Sequence, residues 1–453
     1  MSEVSPPAPN ESRRALLAGI GGLAAGAMLT GRAQAGPLDP PPGPIAPTGK
    51  PLTELEPRIA ISSTNTPGDA DSMFKITQPG SYYLTSNITG VIGRHGIKVA
   101  ASGVTINLNG FIMRGLGNLQ GAFDGIYAQS GEERITVRNG HVELMGRHGV
   151  NLEAASGCAV EHVSVSLCTL SGIRGGSTGR VSSCHTMRNS GVGSFAGIQC
   201  GNGSLVTNCI AELNIGDGIS AFFGARIESC TSRSNGGRGI ATNDRCTISG
   251  CVVTENSSDG IQCVSGCAIT DSITVLNARF GIACTSGAIT GCTARENGAG
   301  GIATNAGSTI HGCSTTQNAS YGISVGFSSS VAGCASYANT GDGIVAYGRC
   351  SILDNTCGYN GNNGDGSGIH TIESSNRIEG NTCTNNDRGL LIESTGNIII
   401  RNTCSGNTLH YVIASGNRYG PIVNITAGGT AGVLGSSAAG NLATSDPNAN
   451  FSH

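Results

Sequence analysis

The chain has 453 residues, a formal net charge of −3, 72 glycines, no tryptophan and only 4% aromatic residues. So even a charge balance leaves no electrostatic footprint for nucleic acid or for an anionic membrane surface. The scarcity of large side chains excludes an ordinary globular core, which leaves a fold of many small, similar layers.

In chain order, Ser12-Arg13-Arg14-Ala15-Leu16-Leu17 opens a weakly apolar, Gly/Ala-rich run to about Thr30, closed by Ala33-Gln34-Ala35. The pattern resembles a bacterial twin-arginine export signal over residues 1–35, cleaved after Ala35. It implies a periplasmic or secreted mature protein with no membrane insertion, since the run is short and polar for a span. Residues 36–57 carry Pro37, Pro40, Pro41, Pro42, Pro44, Pro47, Pro51 and Pro57 and read as an extended linker. Residues 58–92 lack the period that follows, so they are expected to form an N-terminal cap over the first open coil.

From residue 93 to 425 the chain repeats itself. Ile227-Glu228-Ser229-Cys230, Asn235 and Gly239-Ile240 return as Ile248-Ser249-Gly250-Cys251, Asn256 and Gly260-Ile261. Ile269, Asn277 and Gly281-Ile282 follow in the same order. A period of about 21 residues without a helical stripe defines a solenoid of short strands, whose coils are too small to bury an apolar face alone and must stack. The Gly of the Gly-Ile step recurs from Gly96 to Gly389, which predicts fourteen coils of a parallel β-helix. A column of asparagines from Asn189 to Asn407 predicts amides hydrogen-bonded from coil to coil.

Eighteen cysteines all lie beyond residue 157, many in a second column with Cys184, Cys209, Cys230, Cys251 and Cys292. Neighbours in such a column stand about 4.8 Å apart with parallel side chains, which suits buried free thiols better than disulfides. Cys263-Val-Ser-Gly-Cys267 lacks the second pair that a metal site requires. Cys168 stands where the asparagine column would continue. The Gly/Ala/Ser-rich residues 426–453 read as a loose tail.

The Gly-Ile and Ile-x-Gly-Asn/Cys cadence, with Pro79-Gly-Ser-Tyr-Tyr-Leu84, Leu108-Asn-Gly-Phe111 and Gly416-Asn-Arg-Tyr-Gly-Pro-Ile-Val423, resembles the pectate-lyase-like superfamily over about residues 74–425. The resemblance implies an all-β, right-handed parallel β-helix. Many such proteins are polysaccharide lyases, hydrolases or epimerases that act in a groove along one sheet, and others are adhesins or assembly proteins. The Asp-rich signatures of the pectin hydrolases and the Asp-Pro-His motif of the alginate epimerases are absent here.

Candidate site residues follow from the coil. The residue after Gly-Ile points outward; early coils place Lys98, Tyr127, Asn151, Arg174 and Gln199 there, and later coils place Ala241, Ala283, Ala303 and Ser324. With Asp124, His148 and Glu153 nearby, the early coils are the expected polysaccharide groove, and Asp124, His148, Glu153 and Arg174 are its candidate catalytic residues. On an acidic glycan, Arg or Lys would neutralise the carboxylate and His, Lys or Arg would take the C5 proton. The other reading is a solvated polar face. Asp217, Arg238 and Asp259 precede Gly on three successive coils, with carboxylates roughly 9.6 Å apart, the wide edge of an inverting glycosidase pair. A salt-bridge ladder is the alternative.

Asn362-Asn-Gly-Asp365-Gly-Ser367 has the alternating oxygens of a calcium loop, or is a flexible turn; no other metal or cofactor is implied. Two function classes result. One is an exported carbohydrate-active or carbohydrate-binding protein, a polysaccharide lyase or glycoside hydrolase if it is an enzyme. The other is a non-catalytic cell-surface or structural β-helix that presents loops to a partner.

Overall fold

The computed structural model describes residues 57–190, 195–361, 364–424 and 445–453. The expected export signal and all but the last residue of the proline-rich linker lie outside them. Among the described residues the only helix is the 3-10 turn Gly117–Gln120, and no helix is long and apolar enough to cross a membrane.

Each coil contributes strands to three sheets. The first sheet runs from Ser72–Ile76 to Leu409–Ile413 and contains the Gly-Ile step. The second runs from Ile59–Ala60 to Arg418–Tyr419, and the third starts at Ile88–Thr89. Pairing is parallel and in register, each residue meeting its equivalent one coil on: Ile219 meets Ile240, Ile240 meets Ile261, and Ile261 meets Ile282. The inward column Ile97, Ile126, Val150, Ile173 and Ile198 has no exposed surface, as stacking of identical layers requires.

The solenoid has about 17 turns, more than the fourteen counted from Gly-Ile steps. The extra turns lie at the ends, where other residues fill the equivalent positions. Phe74 pairs with Ile97, and Tyr411 pairs with Leu390 behind His410 in place of glycine. Residues 58–92 thus supply strands to all three sheets. Within the expected loose tail, Asn450–Ser452 forms a strand between Thr403–Ser405 and Ile422–Asn424. Two contacts hold it: Asn402 Nδ2 donates to Asn450 Oδ1 at 3.1 Å, and the Tyr411 hydroxyl donates to Phe451 O at 2.7 Å.

Corners are sharp because single residues adopt left-handed backbone, for example Ser229 (φ 53°), Gly250 (φ 59°) and Gly291 (φ 64°) at equivalent positions. Polar columns close them. Asn235, Asn256, Asn277 and Asn297 each donate Nδ2 to the next Oδ1 at 2.9 to 3.0 Å, and Cys168 stands at the head of the ladder, its N–H donated to Asn189 Oδ1. All eighteen cysteines are buried and free. Burial is the main cause that pushes the Cys168 and Cys200 thiols up to about 12. Beyond Cys334 asparagine takes over the cysteine column, Cys334 N–H donating to Asn355 Oδ1 at 2.9 Å.

Candidate functional site

The early-coil residues do align on the first sheet. Lys98, Tyr127, Asn151, Arg174 and Gln199 occupy one column, each paired with the next. Most are engaged with protein. Lys98 Nζ lies 2.9 Å from both Asp71 oxygens, Tyr127 stacks on His95 at 4.6 Å, Asn151 donates to Asp124 Oδ2 at 2.9 Å, and Arg174 pairs with Glu153 at 2.5 Å. A cavity of about 190 Å³ lies here, lined by Glu153, Arg174, Gln199 and Phe222.

Asp124 and His148 lie beneath that surface, both with no exposed area. They belong to a corner ladder in which the side chain preceding Gly accepts the N–H of the same position one coil on. Asp124 N–H donates to His95 Nδ1 at 2.9 Å, His148 N–H to Asp124 Oδ1 at 2.9 Å, and Ser171 N–H to His148 Nδ1 at 3.1 Å. Burial raises the Asp124 carboxyl. It lowers His148 to about 3, with help from Arg174 and Arg147, so His148 is a neutral imidazole at ordinary pH. Both side chains are thus held in the corner by backbone N–H groups of neighbouring coils.

Asp217 and Asp259 do the same job. Arg238 N–H donates to Asp217 Oδ1 at 2.7 Å, and Phe280 N–H donates to Asp259 Oδ1 at 3.2 Å. The expected Asp-Arg-Asp ladder resolves into separate contacts. Arg238 Nη2 pairs with Asp217 Oδ2 at 2.6 Å and its guanidinium also reaches Gln262, while Asp259, 1% exposed, faces Arg279 at 3.8 Å. Of the expected calcium loop, residues 362 and 363 lie outside the described residues, and Asp365 pairs with Arg388 at 2.7 Å. Among the described residues no group of three or more His, Cys, Asp or Glu is arranged to hold a metal ion.

The larger feature lies over later coils of the same sheet. A groove of about 610 Å³ has Ala283, Ala303 and Ser324 as its floor. Phe280 and Tyr321 wall one side, rings stacked at 6.1 Å; Phe327 and Tyr347 wall the other, at 5.9 Å. None of its lining residues is charged. Small floor residues leave the space, and the aromatics stand at the corners because the position before Gly and the strand end both project from the sheet. Sequence reasoning missed these four side chains. The available signal was the appearance of aromatics before Gly at 280 and 321 and just past the strand end at 327 and 347, in a chain poor in them.

The floor column continues through Val345 to His370. There a polar cavity of about 410 Å³ is lined by Asp342, Asp365, His370, Arg388 and Glu393. His370 Nδ1 lies 3.0 Å from Asp342 Oδ2, and Nε2 lies 3.2 Å from Glu393 Oε1. Burial pushes the imidazole down, but the two carboxylates outweigh it and hold His370 above its ordinary value.

These features define a parallel β-helix with one grooved sheet. Residues 196–336 match the family model described as the right-handed β-helix region. No curated protein matches the chain by sequence. Among solved structures it is similar to the A-module of mannuronan C-5 epimerase AlgE4 of Azotobacter vinelandii, at 12% identity over 70% of this chain and 86% of that one, TM-score 0.39. It is also similar to the periplasmic alginate epimerase AlgG, at 8% identity over 70% and 82%, TM-score 0.41, and to pectate lyase Pel9A, at 18% over 53% and 72%, TM-score 0.28.

Proposed function

We propose that the chain is an exported carbohydrate-binding β-helix protein of the cell envelope, and that a glycan lies in the aromatic-walled groove of the later coils. The observation that carries this is the groove itself: an Ala/Ser floor between the Phe280–Tyr321 and Phe327–Tyr347 pairs. Aromatic faces present large apolar area at low entropic cost, and the tyrosine hydroxyls supply hydrogen bonds at the rim. Coils repeat about every 4.8 Å, a step that matches a polymer of similar units lying along the sheet. The early coils take a supporting role, because Lys98, Arg174 and Glu153 are already paired within the protein.

The test is a glycan microarray probed with the purified protein. Retention of polysaccharide or oligosaccharide is expected, lost in Tyr321→Ala; a protein that retains no glycan on a broad array refutes the proposal.

A further inference from the structure

The third sheet turns an apolar face to solvent. Its outward column reads Ile210, Thr231, Val252 and Ile273, each paired with the next. Its three apolar members are exposed, and so are Leu213 and Leu276 at the corner three residues on, Leu276 by half. Both leucines hold left-handed backbone, at φ 55°. A bulky side chain is strained there, and other coils fill the same corner with Ser234, Gln317 or Asn385. An isolated chain thus bears both strain and exposure at each leucine, so the fold by itself does not explain them.

The pattern is self-complementary. Along that corner Arg188, Leu213, Ser234, Glu255, Leu276 and Glu296 follow one another on six successive coils. A two-fold axis along the strand direction, between the coils of Ser234 and Glu255, reverses this order in a second copy. Leu213 then meets Leu276 and Ile210 meets Ile273, apolar on apolar. Ser234 meets Glu255, and at both ends Arg188 meets Glu296. Within its own copy Glu296 is held only loosely, by Arg295 at 3.5 Å. Glu212, inside the face, is already hydrogen-bonded to His185 at 2.9 Å and paired with Arg233 of the same copy. Its charge therefore does not oppose the approach of a second copy.

We propose that this face joins two copies of the chain into a dimer whose solenoid axes run in opposite directions. Six coils at about 4.8 Å, with strand and corner about 17 Å across, offer roughly 500 Å² per copy, which is below the usual interface size and makes the dimer reversible. The aromatic groove lies on the first sheet, so both grooves stay open and the dimer presents two of them. The pairing holds whatever the groove binds.

The experiment is sedimentation equilibrium of the purified protein across the micromolar range. The average mass is expected to rise with concentration from one chain towards two. Leu213→Gly and Leu276→Gly relieve the corner strain and keep the coil, as circular dichroism checks, and each should weaken dimerisation about tenfold or more. Arg188→Glu and Glu296→Arg, made singly, set like charges opposite each other at both ends and should also weaken it. Made together they restore opposite charges, and dimerisation should return to within about twofold of the parent. A protein that keeps the mass of one chain throughout, whatever else covers the face, overturns the proposal. A dimer that both leucine variants leave intact overturns it too, and a dimer that the double charge reversal fails to restore overturns the reversed arrangement.

Discussion

Asn277→Ala tests the coil-to-coil ladder most sharply. The Asn277 side chain makes four hydrogen bonds: Oδ1 accepts the Asn256 N–H at 3.2 Å and Asn256 Nδ2 at 2.9 Å, and Nδ2 donates to Val253 O at 3.1 Å and Asn297 Oδ1 at 3.0 Å. At about 1 kcal/mol net per bond, with a further penalty of about 1 to 3 kcal/mol for the Asn256 N–H stranded in a site 1% exposed, the variant should lose about 5 to 7 kcal/mol. Cys251→Ala, in the neighbouring column, deletes only a small apolar group with a weak S–H donor and should lose about 1 kcal/mol. Urea unfolding followed by circular dichroism gives both values. Hydrogen exchange should speed up in the coils from Val253 to Asn297 and stay unchanged around Val137 and Val160, since coils couple to nearest neighbours. If Asn277→Ala unfolds within about 1 kcal/mol of the parent, the ladder is not what holds successive coils together.

Three further outcomes follow from the same chemistry. Because His148 binds its proton only near pH 3 when folded and near its ordinary value of 6.5 when unfolded, its contribution is fully present above about 6.5 and is lost as pH falls towards 3. His148→Gln should flatten that part of the stability–pH curve, measured by chemical denaturation across pH, and an unchanged slope would contradict the buried neutral imidazole. The thiols, buried and free, should resist an aromatic disulfide reagent in the native state and titrate almost completely in denaturant without reductant; rapid native labelling of many thiols would contradict the packing. Export through a twin-arginine signal predicts that Arg13→Lys with Arg14→Lys keeps the precursor in the cytoplasm, checked by fractionation and immunoblot.

The fold was readable because its determinant is local and repeated: Gly-Ile, then two corners, then asparagine, at one period. The end turns escaped because Phe74 and Tyr411 fill positions held elsewhere by isoleucine or leucine, so the pairing persists where the motif does not. Asp124, Asp217 and Asp259 looked like surface acids because alternation turns the residue before Gly outward. A short carboxylate at a corner folds back to take the next coil's N–H, and that depends on the sharpness of the turn, which the sequence does not display. The groove was hidden for the opposite reason. Phe280, Tyr321, Phe327 and Tyr347 are scattered over 68 residues of a chain poor in aromatics, and only stacking brings them together around three small side chains. His370, Asp342 and Glu393 likewise come from three different coils.

The central claim is that the later coils, rather than the charged early ones, receive the glycan. Affinity for one array-selected oligosaccharide, measured by calorimetry for Tyr321→Ala and for Arg174→Ala, tests it directly. The account predicts a loss of about tenfold or more, roughly 1.4 kcal/mol, in Tyr321→Ala and a change within about twofold in Arg174→Ala. The reverse pattern, with Arg174→Ala abolishing binding and Tyr321→Ala binding as the parent does, would contradict it.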